Sequence, residues 1–241
     1  MDDWFKTELA TALCVAQQAL MDELLPCLFG YHVVHLGETQ AIACLDASRV
    51  SHKVIVSPCK PFTMSQDLSW LPAEPDALPI RSDSVDVVVL SYCLEFANKP
   101  HEVLREVYRV LIPEGHLIIT GFNPWSLWGI RRLFHFSSYA PWNGKFISLA
   151  RLNDWLQLLG FDRRSVRSAF FRPPFQRSIV LARLQSLESW GVKYWPLGGA
   201  IYTVLAQKKV ARLTPIQPRW RPKRCLLPTI VEPSTRSMSG E

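Results

Sequence analysis

Two indoles, an amide and two guanidinium groups crowd into Phe122-Asn123-Pro124-Trp125-Ser126-Leu127-Trp128-Gly129-Ile130-Arg131-Arg132. Such a set can wall a substrate. Trp125 and Trp128, three apart, would share a helical face, Asn123 offers amide hydrogen bonds, and Arg131 or Arg132 can meet an anion. The same residues can equally form an apolar lid packed on a core. Elsewhere, chemistry at recognisable spacing is sparse. Six cysteines, at 14, 27, 44, 59, 93 and 225, make no Cys-x-x-Cys pair and no Cys/His cluster at zinc spacing, so no metal is expected. No acid–base pair stands out, and no catalytic residue is assigned. Gly37 closes the run Tyr31–Leu36, either ending a strand or letting backbone approach a ligand. Its neighbour Glu38 is a solvated carboxylate or a site group. With no Gly-x-Gly-x-x-Gly after that run, a nicotinamide-dependent oxidoreductase is set aside.

The elements that must position these residues alternate along the chain. Apolar residues at helical spacing from Leu9 to Leu28 predict a helix, and Tyr31–Leu36 and Lys53–Val56 predict strands. Residues 41–50 can form a helix between them. A polar, proline-rich stretch, 61–84, precedes Val85–Ser91, whose unbroken apolar centre points to burial on both faces of a parallel sheet. Pro100 opens a helix that Pro113-Glu114-Gly115 should end, and His116–Gly121 is another strand. A helix over 149–159, strands near 165–170 and 200–206, and a helix near 179–190 complete the pattern. Strands alternating with helices imply βα units, with ligands beyond the carboxyl ends of the strands. In the turn after Ser91, Glu95 reads as a helix cap or a site group. Arg105, Glu106 and Arg109 read as a solvated or salt-bridged helix face.

At 241 residues with 48% apolar and 20% charged side chains, the chain can build a real core. The formal charge of +6 resides in the tail, because residues 208–241 hold eight basic and two acidic side chains. The expected organisation is an N-terminal helix (1–30), an α/β domain (31–209) and a basic proline-rich tail (210–241). Nucleic acid is expected only through that tail. The acidic start Met1-Asp2-Asp3-Trp4 lacks the order of a signal peptide, and no apolar run approaches the ~20 residues of a membrane helix. Reduced thiols, a cytoplasmic setting and no membrane partner are therefore expected.

Three segments in sequence carry a family likeness. They are Ala77-Leu78-Pro79-Ile80 running into Val85–Ser91, then Leu94-Glu95, then Leu104-Arg105-Glu106-Val107-Tyr108-Arg109-Val110-Leu111-Ile112-Pro113-Glu114-Gly115. This order and spacing resembles the class I S-adenosylmethionine-dependent methyltransferases, closest to the bacterial small-molecule type. The specific likeness covers residues 74–121, and the alternation extends it from 31 to about 208. It implies a three-layer α/β sandwich with a mostly parallel, seven-stranded, Rossmann-like sheet whose last strand is antiparallel. It also implies S-adenosylmethionine as cofactor and a small-molecule substrate.

The resemblance assigns cofactor contacts residue by residue. His35, Gly37 and Glu38 fall at the first strand end, Glu74 and Pro75 where the family flanks the adenine, and Ser91 and Tyr92 beside the methionine part. Asn123, Trp125, Trp128 and Arg131 would meet the substrate. Two positions depart from the family. Gly37-Glu38-Thr39-Gln40-Ala41 keeps only the first glycine of the family's Gly-x-Gly-x-Gly, and His35 replaces the acid before it. Ser57-Pro58 stands where a carboxylate would accept from both ribose hydroxyls, and a serine offers one hydroxyl. The expected function is a methyltransferase, or else a methyltransferase-like fold that binds or regulates without catalysis.

Overall fold

A computed structural model describes residues 7–37, 45–59, 67–134, 142–173, 195 and 198–210. Residues 1–210 form one unit and 211–241 another, the second lying outside the described residues. The basic tail and the helix expected over 179–190 therefore lie outside them too.

Helix α1 (Glu8–Leu24) starts where the Thr7 hydroxyl accepts from the Ala10 N–H, and Glu8 sits in its first turn. Pro26 cannot donate to an α-helical ladder, and the end tightens into a 3₁₀ turn at Leu25–Cys27. Seven strands come after it: β1 (His32–Gly37), β2 (His52–Val56), β3 (Leu68–Leu71), β4 (Val85–Ser91), β5 (Leu111–Phe122), β6 (Phe161–Ala169) and β7 (Ile201–Lys208). Their order is β3-β2-β1-β4-β5-β7-β6. The first five run parallel, and β7 is antiparallel to both β5 and β6. The α/β fold with its mostly parallel seven-stranded sheet and antiparallel last strand is as expected.

Register places Leu36 between Val56 and Leu90, and Gly37 beside Ser91. The sheet's two faces bury separate apolar sets. Val34, Leu36, Val88 and Leu90 meet helix α3 (Pro100–Val110) and helix α5 (Leu149–Leu159). Val33, Val87 and Val89 meet Met21 and Leu25, at the end of α1 and the turn beyond it. At roughly 25 cal/mol per Å² of apolar area, continuous burial on both faces makes the centre of this sheet its firmest part.

Three differences from the sequence expectations have physical causes. Strand β3 falls inside the stretch expected to be irregular. It is four residues long and only half-buried at the sheet edge, so its pattern is weak. Helix α3 stops at Val110, and Pro113 and Glu114 belong to an irregular start of β5. There Glu114 takes φ 65° and the register against β4 slips. Of the helix expected over 41–50, residues 41–44 lie outside the described residues and 45–47 form a 3₁₀ turn.

The charged residues of α3 bind a loop and are not simply a solvated face. Arg109 pairs with Glu106 at 2.8 Å and donates to the carbonyls of Leu78 and Ile80, while Glu106 accepts from the Leu78 N–H. The residues carrying the family likeness thus clamp the segment that leads from β3 into β4. Buried Lys208 donates to the Tyr108 and Leu111 carbonyls and to Asp83, at 2.9, 2.7 and 2.7 Å, capping the carboxyl end of α3 from β7.

Candidate functional site

A cleft of about 270 Å³ opens beyond the carboxyl ends of β1, β2 and β4. Gly37 forms its floor, Pro58 and the segment Glu74-Pro75-Asp76 one side, and Tyr92, Cys93, Phe96 and Lys99 the other. This is where an open parallel sheet leaves space, because helices cover its faces but not the strand ends.

Gly37 is required there by geometry. Its φ is 114°, and a Cβ would come within 2.2 Å of the Ser91 carbonyl oxygen. The glycine lets β1 end against β4, so the fold needs it whatever ligand sits above. Tyr92 is strained too, taking φ 51° as the chain turns into the short helix α2 (Cys93–Phe96). That turn points the Tyr92 ring back onto Phe122, with centroids 4.6 Å apart.

His35 and Ser91 sit beneath the cleft rather than in its wall. His35 Nε2 lies 3.0 Å from Ser91 Oγ, which also accepts from Gln17 Nε2 of α1 at 3.1 Å. All three side chains are buried. With the Ser91 proton directed to Nε2, the neutral ring carries its hydrogen on Nδ1. Burial pulls the His35 pKa down to about 4. The His35 Nδ1 and Gln17 Oε1 atoms find no partner among the described residues, leaving one donor and one acceptor beside the β1 end.

Two further ionisable groups border this edge. Burial lifts the Cys93 thiol to about 12, helped by the charges of Glu95 and Asp76, so it stays protonated and is no nucleophile. Glu95 is buried with Oε1 accepting from the Phe122 N–H at 2.9 Å. Burial lifts its pKa to about 7, against the opposing pull of its own and Phe122's backbone N–H groups. A Cβ at Gly121 would fall 2.2 Å from that Oε1, so the bare glycine makes room for the carboxyl.

The cleft thus unites four residues read from sequence: Gly37, Glu74, Pro75 and Tyr92. Glu38 lies outside the described residues. Cys93 and Phe96 fall in the loop 91–96, which the strand ends marked as a candidate site loop; Asp76, which adjoins Glu74-Pro75, and Lys99, a few residues beyond that loop, were not anticipated. Ser57, at the position of the family's ribose-binding acid, is buried with its hydroxyl donated to the Cys59 carbonyl.

None of Asn123, Trp125, Trp128 and Arg131 lines the cleft, and the two indoles do not share a face. The Asn123 side chain accepts from the Trp125 N–H and donates to the Gly199 carbonyl, holding an Asx turn. Ser126 Oγ then accepts from the Gly129 N–H and starts helix α4 (Leu127–Phe134) one residue after Trp125's turn. Trp125 is left 74% exposed, whereas Trp128 is fully buried and donates its indole N–H to the Arg172 carbonyl. Arg131 lies over the Trp142 ring at 5.6 Å. The packed lid, one of the two readings of this segment, describes Trp128.

Comparison with known proteins places this architecture. Residues 27–119 match the family described as "Methyltransferase domain". An Escherichia coli K12 protein, "Uncharacterized protein YafS", is 38% identical over 137 residues, covering 56% of this chain and 54% of that protein. "Ubiquinone/menaquinone biosynthesis C-methyltransferase UbiE" of Ruegeria sp. is 32% identical over 76 residues, 32% of this chain and 30% of that enzyme. The matches thus span about half or less of these curated relatives. Among solved structures, a Thermotoga maritima S-adenosylmethionine-dependent methyltransferase described as a possible histamine N-methyltransferase superposes with TM-score 0.61. It is 19% identical, covering 86% of this chain and 94% of that one, and shows the shared fold. Residues 27–119 are thus similar to the methyltransferase domain family, and the fold is the one shared with S-adenosylmethionine-dependent methyltransferase structures.

Proposed function

We propose that the protein is an S-adenosylmethionine-dependent methyltransferase acting on a small molecule, with its cofactor in the cleft above Gly37. The observation that carries this reading is the cleft itself: it lies at the strand ends where the family's likeness falls, and its wall is rich in carboxylate. The bound cofactor would supply a methyl group already activated on a sulfonium. The chain's own part is then positioning and water exclusion, which explains why no acid–base pair is conspicuous.

In this reading Glu74 and Asp76 accept from the adenosine, and Tyr92 and Phe96 close over the methionine end. The unpaired His35 Nδ1–H and Gln17 Oε1 hold one hydroxyl or water beneath it. The fit is partial. Ser57 cannot replace a ribose-binding carboxylate, since its hydroxyl already serves the Cys59 carbonyl. That observation favours a second reading, a methyltransferase-like binding or regulatory protein. Cys14, Cys27, Cys59 and Cys93 are free thiols, which fits a bacterial cytoplasm.

Calorimetric titration with S-adenosylmethionine and its demethylated product separates the two readings. A dissociation constant of ~10–1000 μM is expected, since each missing charge-assisted contact costs ~1.5–3 kcal/mol. The double variant Glu74→Gln/Asp76→Asn should weaken binding at least ~10-fold. No heat at millimolar cofactor would sink the enzymatic reading.

A further inference from the structure

The described residues carry an exposed apolar face that the site does not use. Trp125, Leu127 and Ile130 are 74%, 41% and 45% exposed, and they succeed one another along the turn and outer side of α4. The inner side of the same helix is closed, with Trp128 stacked on Phe122 and Trp142. The face is therefore a surface feature and not a loosely packed core.

Its electrostatic setting is unusual for this chain. No aspartate or glutamate occurs between Glu114 and Asp154. Residues 115–210 carry 13 basic and 3 acidic side chains, whereas residues 1–114 carry 8 basic and 16 acidic. Arg131 and Arg132 lie on α4 itself, and the indole N–H of Trp128 reaches the Arg172 carbonyl, which brings the end of β6 alongside. Arg167 is exposed toward the end of that edge strand, while Arg163 and Arg164 are exposed at its start, Arg164 beside Asp162.

We propose that the outer face of α4, with Arg131 and Arg132 on the same helix and Arg167 on the neighbouring edge strand, docks on an anionic membrane surface. A tryptophan and two aliphatic side chains beside arginines are what an interfacial segment needs, and no spanning helix is required. Nucleic acid would use the same charge, but Leu127 and Ile130 offer no ring for a base to stack on. The column Tyr92–Phe122–Trp128 joins the cleft wall to α4 along the carboxyl edge of the sheet. Docking would thus bring the cleft's edge to the bilayer. If the methyltransferase reading holds, on which this clause alone rests, the acceptor is an amphiphile held in that membrane.

The test is co-sedimentation of the full chain with vesicles of 30% phosphatidylglycerol in phosphatidylcholine, against phosphatidylcholine alone. The wild type should partition onto the anionic vesicles and much less onto neutral ones. The variant Trp125→Ser/Leu127→Ser/Ile130→Ser keeps every charge, and its partitioning should fall by roughly 100-fold while its melting temperature holds. Two outcomes overturn the proposal: no partitioning of the wild type, or equal partitioning of the variant. Equal binding of both proteins to an RNA duplex that displaces the vesicles would also overturn it, assigning the charge to nucleic acid. Titration with S-adenosylmethionine keeps the two ideas apart. Loss of cofactor binding in both proteins defeats the enzymatic reading and leaves the docking result standing.

Discussion

On the β1–β2 side of β4, the carboxyl edge of the sheet opens into a cleft walled by Glu74, Asp76 and Lys99; on the β5–β7 side it is shut by stacked rings. Both sides begin from the same kind of buried parallel strand. They differ in the residues at which each strand gives way to its loop. β1 ends in Gly37 and β2 gives way to Ser57-Pro58, small residues that leave the space open, whereas β5 ends in Phe122 and runs into Trp128. Phe146, Phe122, Trp128 and Trp142 then stack in that order, with successive centroids no more than 6.0 Å apart, and Phe170 meets Trp128 edge-on. Ligand space in this fold is thus decided by the first residues after each strand.

The largest effect should come from opening the closed side. Trp128→Ala removes a fully buried indole that meets Phe122, Trp142 and Phe170 and holds the Arg172 carbonyl. A loss of ~3–5 kcal/mol is expected in denaturant unfolding. A loss below ~1 kcal/mol would mean that the column does not close this edge, and the contrast with the cleft would fail.

The next effect concerns two buried ionisable groups, one on each side, whose contributions oppose each other. His35 titrates at about 4 in the fold against 6.5 ordinarily, so below 6.5 the unfolded chain takes protons first. Stability from His35 therefore falls with acid between 6.5 and 4, by about 3 kcal/mol in all. Glu95 titrates at about 7 against 4.5, so the folded chain takes its proton first. Stability from Glu95 rises as pH drops from 7 to 4.5, again by about 3 kcal/mol. Between about 4.5 and 6.5 the two nearly cancel. Glu95→Gln removes one partner and should expose a steep loss of stability across that window. The slope reports this whatever the amide itself costs. A variant as flat as the wild type would show that His35 is not held neutral by the fold.

Legibility in the sequence divides along the same line. Val85–Ser91 announces itself because burial on both faces leaves no polar alternation, and the clamp of Arg109 and Glu106 on Leu78–Ile80 left a readable spacing. Gly37 could be read because a strand end beside another backbone tolerates little else. Strand β3 could not, since an edge strand of four half-buried residues needs no distinctive pattern. Glu95 looked like a cap because its burial comes from Phe122 and Gly121, which reach it only through the sheet. The two indoles misled for a local reason. A spacing of three means a shared face only inside a helix, and the Asx turn at Asn123 delays the start of α4 to Leu127.

That delay makes the smallest prediction the sharpest partner of the largest. Trp125→Ala changes the same residue type three positions away, yet its side chain stands in the turn with 74% of its surface exposed. What Trp125 gives the fold is its backbone N–H, donated to Asn123 Oδ1 at 3.0 Å, and alanine keeps that donor. Stability should therefore change by no more than ~0.5 kcal/mol, as for surface positions without a specific partner. Measured beside Trp128→Ala under the same denaturant, the pair should differ by several-fold in effect. A destabilisation of Trp125→Ala above ~2 kcal/mol would place its ring in the core, and α4 would then have to begin before Trp125. Asn123→Ala offers the complementary check, because losing the Asx turn and the bond to the Gly199 carbonyl should cost more than losing the exposed indole.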